Sequence, residues 1–167
     1  FFFLDRVPEI YVGILGALKA GCVVGPLFSA FGPDAVRDRL LDSGARVLVT
    51  SPALRRKVES ILPELPALEK IVLVDREGGG AAEGGVAWEQ LMAGGSDRFE
   101  VVRTGREDPA IMHYTSGTTG KPKGAVHVHN AVVGHYATEK LDLDLHDTDV
   151  YWCTADPGWV TGTSYGI

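Results

Sequence analysis

The chain has 167 residues, enough for one domain with a real core, and an ordinary balance of 45% hydrophobic and 23% charged residues. Its formal charge of −6 and the lack of a basic stripe argue against a general nucleic-acid binder, so an anionic ligand would have to be met by local lysines. The two cysteines, Cys22 and Cys153, stand far apart without metal-ligand spacing and are expected to be buried thiols in a reducing, cytoplasmic setting.

Phe1–Leu4 reads as a buried strand; it halts at Asp5-Arg6, far short of a membrane span, and no membrane partner is expected. A helix follows with Pro8 in its first turn, Ile10, Ile14 and Ala17-Leu18 on one face, and Gly21 just past its end. Cys22–Leu27 is short and apolar, a second strand. Pro33 opens a helix with Val36 and Leu40 inside, closed near Gly44. Arg46–Thr50 reads as a strand. Ser51 caps a helix with Pro52 at its first position and Leu54, Val58 and Ile61-Leu62 at helical spacing, stopped by Pro63. Ile71–Val74 is the next strand. Strands alternating with helices of this length point to an α/β fold, a mostly parallel sheet flanked by helices on both faces.

From Arg76 to Gly95 glycine clusters bracket one amphipathic patch, Trp88–Met92, read as a solvent-exposed excursion with a helical turn. Glu100–Arg103 is a candidate strand leading back. Asp108-Pro109 breaks the chain before another strand. Asn130 is a candidate cap for a helix to about Leu141 with Val133, Ala137 and Leu141 on one side, and Val150–Thr154 reads as a strand. The organisation is thus βα units over 1–75, a Gly-rich excursion over 76–108, and a functional part over 109–167. The chain starts without Met, inside a strand, and stops in an apolar Gly-rich run, so it is read as an incomplete piece of one domain.

The chemistry concentrates in His113–Gly124. Small residues run from Ser116 to Gly120, between an apolar entry and two lysines, Lys121 and Lys123. Glycines let backbone approach a ligand closely. The hydroxyls of Thr115, Ser116, Thr118 and Thr119, the free amides of Gly117 and Gly120, and two ammonium groups suit a polyphosphate, which needs convergent donors and charge neutralisation. This is not a Walker A loop: only two residues separate Gly117 from Gly120, Pro122 follows Lys121, and the next stretch alternates like a strand instead of opening a helix.

Thr115-Ser-Gly-Thr-Thr-Gly-Lys-Pro-Lys-Gly124 resembles the phosphate-loop signature of the acyl-adenylate-forming enzymes. A second stretch, Tyr151-Trp-Cys-Thr-Ala-Asp-Pro-Gly-Trp-Val-Thr-Gly162, is similar to the corresponding segment of the acetyl-CoA synthetases within that superfamily, and Leu18–Leu27 is similar to an early structural motif of the family. The resemblance implies a large N-terminal domain that uses ATP with Mg2+ to convert acetate or a similar short carboxylate to an acyl-adenylate, with CoA as co-substrate. It implies phosphate binding by Thr115–Lys121 and Lys123, and a small acyl pocket walled by Trp159, Val160, Thr161 and Gly162. The adenine motif, the Mg2+ ligand and a C-terminal domain with the catalytic lysine are expected in a remainder of the chain beyond these residues. No certain catalytic residue and no metal ligand is expected within them.

His129 matches a histidine that the superfamily often carries near the active site. His127 and His129 are expected on opposite faces of their strand, unable to hold one metal ion together. His113, Tyr114 and His135 are read as structural, and Asp156 as an orienting or structural residue. Three other readings stand beside acetate activation: use of propionate or another short acid, a nucleotide-binding module without turnover, and a plain α/β domain with a polar loop.

Overall fold

Phe2 and Phe3 are neighbours on a strand, so their side chains leave on opposite sides, and each enters a different hydrophobic core. The structure, a computed structural model, describes residues 1–78, 85–115 and 120–167. Strands β1 (Phe2–Phe3), β2 (Pro26–Leu27), β3 (Val47–Thr50), β4 (Lys70–Leu73) and β5 (Val86–Ala87) form a five-stranded sheet in the order β2-β1-β3-β4-β5, parallel throughout. Helix α1 (Pro8–Lys19) buries Ile10 and Ile14 with Phe2, Leu4, Val49 and Val72 on one face. Helices α2 (Pro33–Ser43) and α3 (Pro52–Lys57) bury Val36, Leu40 and Leu54 with Phe3, Leu27 and Leu48 on the other. Helices thus cover both faces, as expected of parallel strands joined by crossovers.

The local signals behind these helices are realised. Pro8, Pro33 and Pro52 each sit at the helix start, where a missing N–H costs nothing. The Ser51 hydroxyl accepts the Leu54 N–H at 3.3 Å. Gly44 closes α2 with φ 59°, left-handed backbone that favours glycine. From β1 the chain runs out to β2, then crosses back past β1 to β3. The carboxyl ends of β1 and β3 therefore flank the point where winding reverses, the place where open α/β sheets form ligand crevices.

Several expectations are corrected. The strand read over Cys22–Leu27 narrows to Pro26–Leu27 plus one bridge at Val24. Pro63 does not end α3; the helix ends at Lys57, and Pro63 lies within a separate 3-10 helix, Glu59–Glu64. The Gly-rich excursion is only partly an excursion. Val86–Ala87 adds an edge strand, and Trp88, at the start of α4 (Trp88–Gly94), packs on the α1 core. Glu100–Arg103 forms no strand, though Val102 N–H donates to the Lys19 carbonyl at 3.0 Å. Cys22 is exposed and Cys153 only half-buried, so the expectation of two buried thiols fails.

The remaining elements are β6 (Pro109–Thr115), β7 (Lys123–Val128), α5 (Ala131–Leu141) and α6 (Val160–Ser164). Strands β6 and β7 pair antiparallel. The side chain of Asn130 does not cap α5; its Oδ1 accepts from Arg106 Nε at 3.3 Å instead. Val133, Ala137 and Leu141 are all exposed, and the helix turns His135, Thr138 and Glu139 inward. Among the described residues no helix is long and apolar enough to cross a membrane.

Candidate functional site

The hairpin β6–β7 places Thr115 opposite Lys123, so the segment between them joins two antiparallel strands. Ser116, Gly117, Thr118 and Thr119 lie outside the described residues. Past them, Gly120 has φ 83°, a conformation that a side chain would strain. Lys121 and Lys123 are both exposed. The described residues on either side are strands, β6 before and β7 after, as expected.

Val24 ties the hairpin to the large sheet. It forms a parallel bridge with Ile111, donating to the Ala110 carbonyl at 2.9 Å and accepting from Met112 N–H at 2.8 Å. Strand β6 therefore runs in the same direction as the segment that leads into β2. Both leave the sheet at its carboxyl edge, β6 through Thr115 and β2 through Phe28.

The second cluster sits on that same edge. Arg6, just after β1, donates from Nη1 to the Thr154 carbonyl at 2.6 Å. The Asp156 carboxylate accepts Gly158 N–H at 2.8 Å, and its carbonyl accepts Trp159 N–H at 2.9 Å, which closes a tight turn. Asp156 thus orients the backbone, an Asx-type role. The Thr163 hydroxyl on α6 donates to the Pro157 carbonyl at 2.6 Å and lies 3.2 Å from that of Trp159. Anchored this way, the Trp159 indole lies against Phe28, with ring centroids 5.3 Å apart, while staying 54% exposed. Val160 and Thr161 are exposed and Gly162 is buried against the Asp156 backbone. The strand expected over Val150–Thr154 is absent. Val150 is fully exposed and Trp152 77% exposed, and among the described residues no segment pairs with this stretch.

The histidines overturn one expectation. Residues two apart on a strand share a face, and His127 and His129 do so, lining one cavity of about 370 Å³ together with His113, His135 and Glu139. Placing them on opposite faces was wrong. The His129 Nε2 is buried there with no hydrogen-bond partner among the described residues. Even so, among the described residues no group of three or more His, Cys, Asp or Glu is arranged to hold a metal ion.

His113 is 4% exposed, with its ring 5.6 Å from that of His127. Burial first, then repulsion from His127 and His135, lowers its pKa from 6.5 to about 4. Between those values the unfolded chain binds the proton and the folded one does not. Stability is therefore complete above pH 6.5 and falls as pH drops towards 4, by on the order of 3 kcal/mol at most. Replacing His113 by leucine should flatten the pH dependence of the urea midpoint between pH 4 and 6.5; an unchanged slope would assign it to other groups.

Sequence reasoning passed over Tyr114 as structural and gave Phe28 no role. The Tyr114 hydroxyl donates to Asp42 Oδ2 at 2.8 Å, with the Arg39 carbonyl 3.1 Å away, both on α2. Burial, then the Asp42 carboxylate, pushes its pKa up. Its position directly before Thr115 was the one signal in the sequence.

A family model described as AMP-binding enzyme matches residues 1–167. The acetyl-coenzyme A synthetase of Bacillus subtilis (strain 168) is 46% identical over 170 residues, which cover 100% of this chain and 29% of that protein. The acetyl-coenzyme A synthetase of Escherichia coli (strain K12) is 37% identical over 178 residues, covering 98% and 27%. Among solved structures, the acyl-CoA synthetase of Brucella canis superposes with a TM-score of 0.88 at 34% identity, over 98% of this chain and 29% of that one. The chain thus spans less than a third of the length of these relatives.

Proposed function

The chain belongs to the AMP-binding enzyme family, and from that premise we propose that the protein activates acetate with ATP and passes the acetyl group to CoA. An acetate oxygen attacks the α-phosphorus of ATP, the α–β phosphoanhydride bond breaks, and acetyl-AMP and pyrophosphate form. The CoA sulfur then attacks the acetyl carbon, its proton is lost, and AMP leaves with the bonding electron pair. The first step asks the protein to align two reactants and to neutralise the departing β,γ-phosphates.

The observation that carries this reading is the shared edge. The mouth of the hairpin at Thr115 and Lys123 and the turn presenting Trp159 both emerge at the carboxyl edge of the parallel strands. In this reading Thr115, Ser116, Gly117, Thr118, Thr119, Gly120, Lys121 and Lys123 hold the phosphates. Trp159, Val160, Thr161 and Gly162 bound the acyl side, and His129 is a neighbour of the active site. Residues 1–167 form an incomplete part of one adenylating domain. Mg2+ accompanies ATP, and among the described residues no group of three or more His, Cys, Asp or Glu is arranged to hold it.

The test is ATP–pyrophosphate exchange by the intact protein with acetate, propionate, butyrate and no acid. Exchange that requires a carboxylate and is fastest with acetate supports both the chemistry and the small pocket. Preference for a longer acid keeps the chemistry and removes Trp159 from the pocket. Tight Mg-ATP binding without exchange supports a nucleotide-binding module. The 167-residue chain alone is expected to make no acetyl-AMP, and detecting any would show that the remainder is dispensable for the first step.

A further inference from the structure

We propose that Arg39 is a positioning residue that couples the end of β6 at Thr115 to the Trp159 turn. It occupies α2 and is only 9% exposed, yet among the described residues it has no ion-pair partner. Nη1 donates to the Ala35 carbonyl at 2.7 Å, and Nε is buried without a partner. Burying a guanidinium in this way is costly unless something else holds it. Two aromatic faces do so. Its central carbon lies 4.2 Å from the centroid of Phe31 and 5.6 Å from that of Tyr114.

Each ring leads to one of the two clusters. Tyr114 is the residue before Thr115, and its hydroxyl is tied back to α2 by Asp42. Phe31 meets Phe28 edge-on at 5.7 Å, and Phe28 meets Trp159 at 5.3 Å. A packed series therefore runs from Tyr114 through Arg39, Phe31 and Phe28 to Trp159. Because the guanidinium is planar and weakly hydrated, it can stack on both rings; a lysine ammonium at that position keeps the charge and loses the stack. A displacement of Tyr114 when phosphates are gripped must be accommodated by Arg39 and Phe31, and so reaches the Trp159 side. Burial also lowers the Arg39 pKa from its ordinary value, as a desolvated site requires.

This inference rests on the function proposed above. Packed contact alone does not establish coupling; a double-mutant cycle does. In the intact protein, ATP–pyrophosphate exchange is measured for Tyr114→Phe, Trp159→Phe and the double variant, with KM for ATP and for acetate resolved. We expect the combined effect on kcat/KM for ATP to depart from the product of the single effects by about three- to tenfold. Arg39→Lys should raise both KM values together, by about fivefold, and make the two changes independent in its background. Should Arg39→Lys fail to fold, Phe31→Leu breaks the same stack and should likewise abolish the non-additivity. Independent effects with Arg39 intact, or coupling that survives in both variants, would overturn the proposal while leaving the function standing. No carboxylate-dependent exchange by the unaltered protein would bring down the function and this coupling together.

Discussion

Gly158→Ala is expected to cost about 2 kcal/mol of stability and to raise KM for the acid several-fold more than KM for ATP. The reason is space: Gly158 does not need left-handed backbone. A Cβ built there runs into the backbone of Leu27 and Phe28, not into the tip of a movable side chain. Pro157, one residue earlier, is fully buried, and the turn is held by Asp156 and Thr163. Relief requires either the end of β2 or the whole turn to shift. Both routes separate Trp159 from Phe28, so the acid side should feel the change first. Urea unfolding and the two KM values read the effect, and a variant as stable and as active as its parent would show that the close approach at Gly158 constrains neither the fold nor the acid side.

Replacing Lys121 and Lys123 together by alanine is expected to lower ATP–pyrophosphate exchange by at least about 10²-fold, equivalent to roughly 3 kcal/mol of transition-state stabilisation. Both side chains are exposed, so their removal should leave the unfolding midpoint within about 0.5 kcal/mol of the parent. Under the proposed function they neutralise charge that grows on the leaving pyrophosphate, and folding does not depend on them. The loss should appear in kcat/KM for ATP, shrink in relative terms as salt screens the parent's lysines, and leave the ranking of acids unchanged. Exchange at the parent rate would mean that other groups hold the phosphates.

The first half of the fold was legible because its signals are local. Proline at N1, serine at the cap, glycine past the end and apolar residues at helical spacing each act within a few residues, and α1, α2 and α3 form where those signals stand. The loop's setting between two strands was legible for a similar reason, since Ala125-Val-His-Val-His129 alternates and a helix start would not. Less of the candidate site could be read. The two motifs were found as separate stretches, but nothing in their spacing said that they share an edge.

The failures have a common cause. Val150–Thr154 and Glu100–Arg103 have the composition of strands, and neither is one, because a strand exists only where a neighbour completes its hydrogen bonds. Val86–Ala87 was passed over in a glycine-rich stretch, and it is a strand because β4 lies beside it. Asn130 has the chemistry of a cap and spends it on Arg106. His127 and His129, two apart on an extended stretch, share a face, and the cavity that gathers four histidines also depends on α5 and α6, which no pairwise spacing anticipates.

By itself, the sequence determined the starts of α1, α2 and α3 and the close of α2 at Gly44, the alternation of strand and helix that requires a parallel sheet, and the donor-rich, lysine-flanked character of 115–124. All of these follow from short-range sterics and hydrogen-bonding capacity. Only the tertiary structure decided which extended segments became strands, that Val24 carries β6 alongside the large sheet, that Gly158 must pass against β2, and that Arg39 is clasped between Phe31 and Tyr114. Those outcomes depend on surfaces brought together from distant parts of the chain, where packing and desolvation, not local propensity, set the energy.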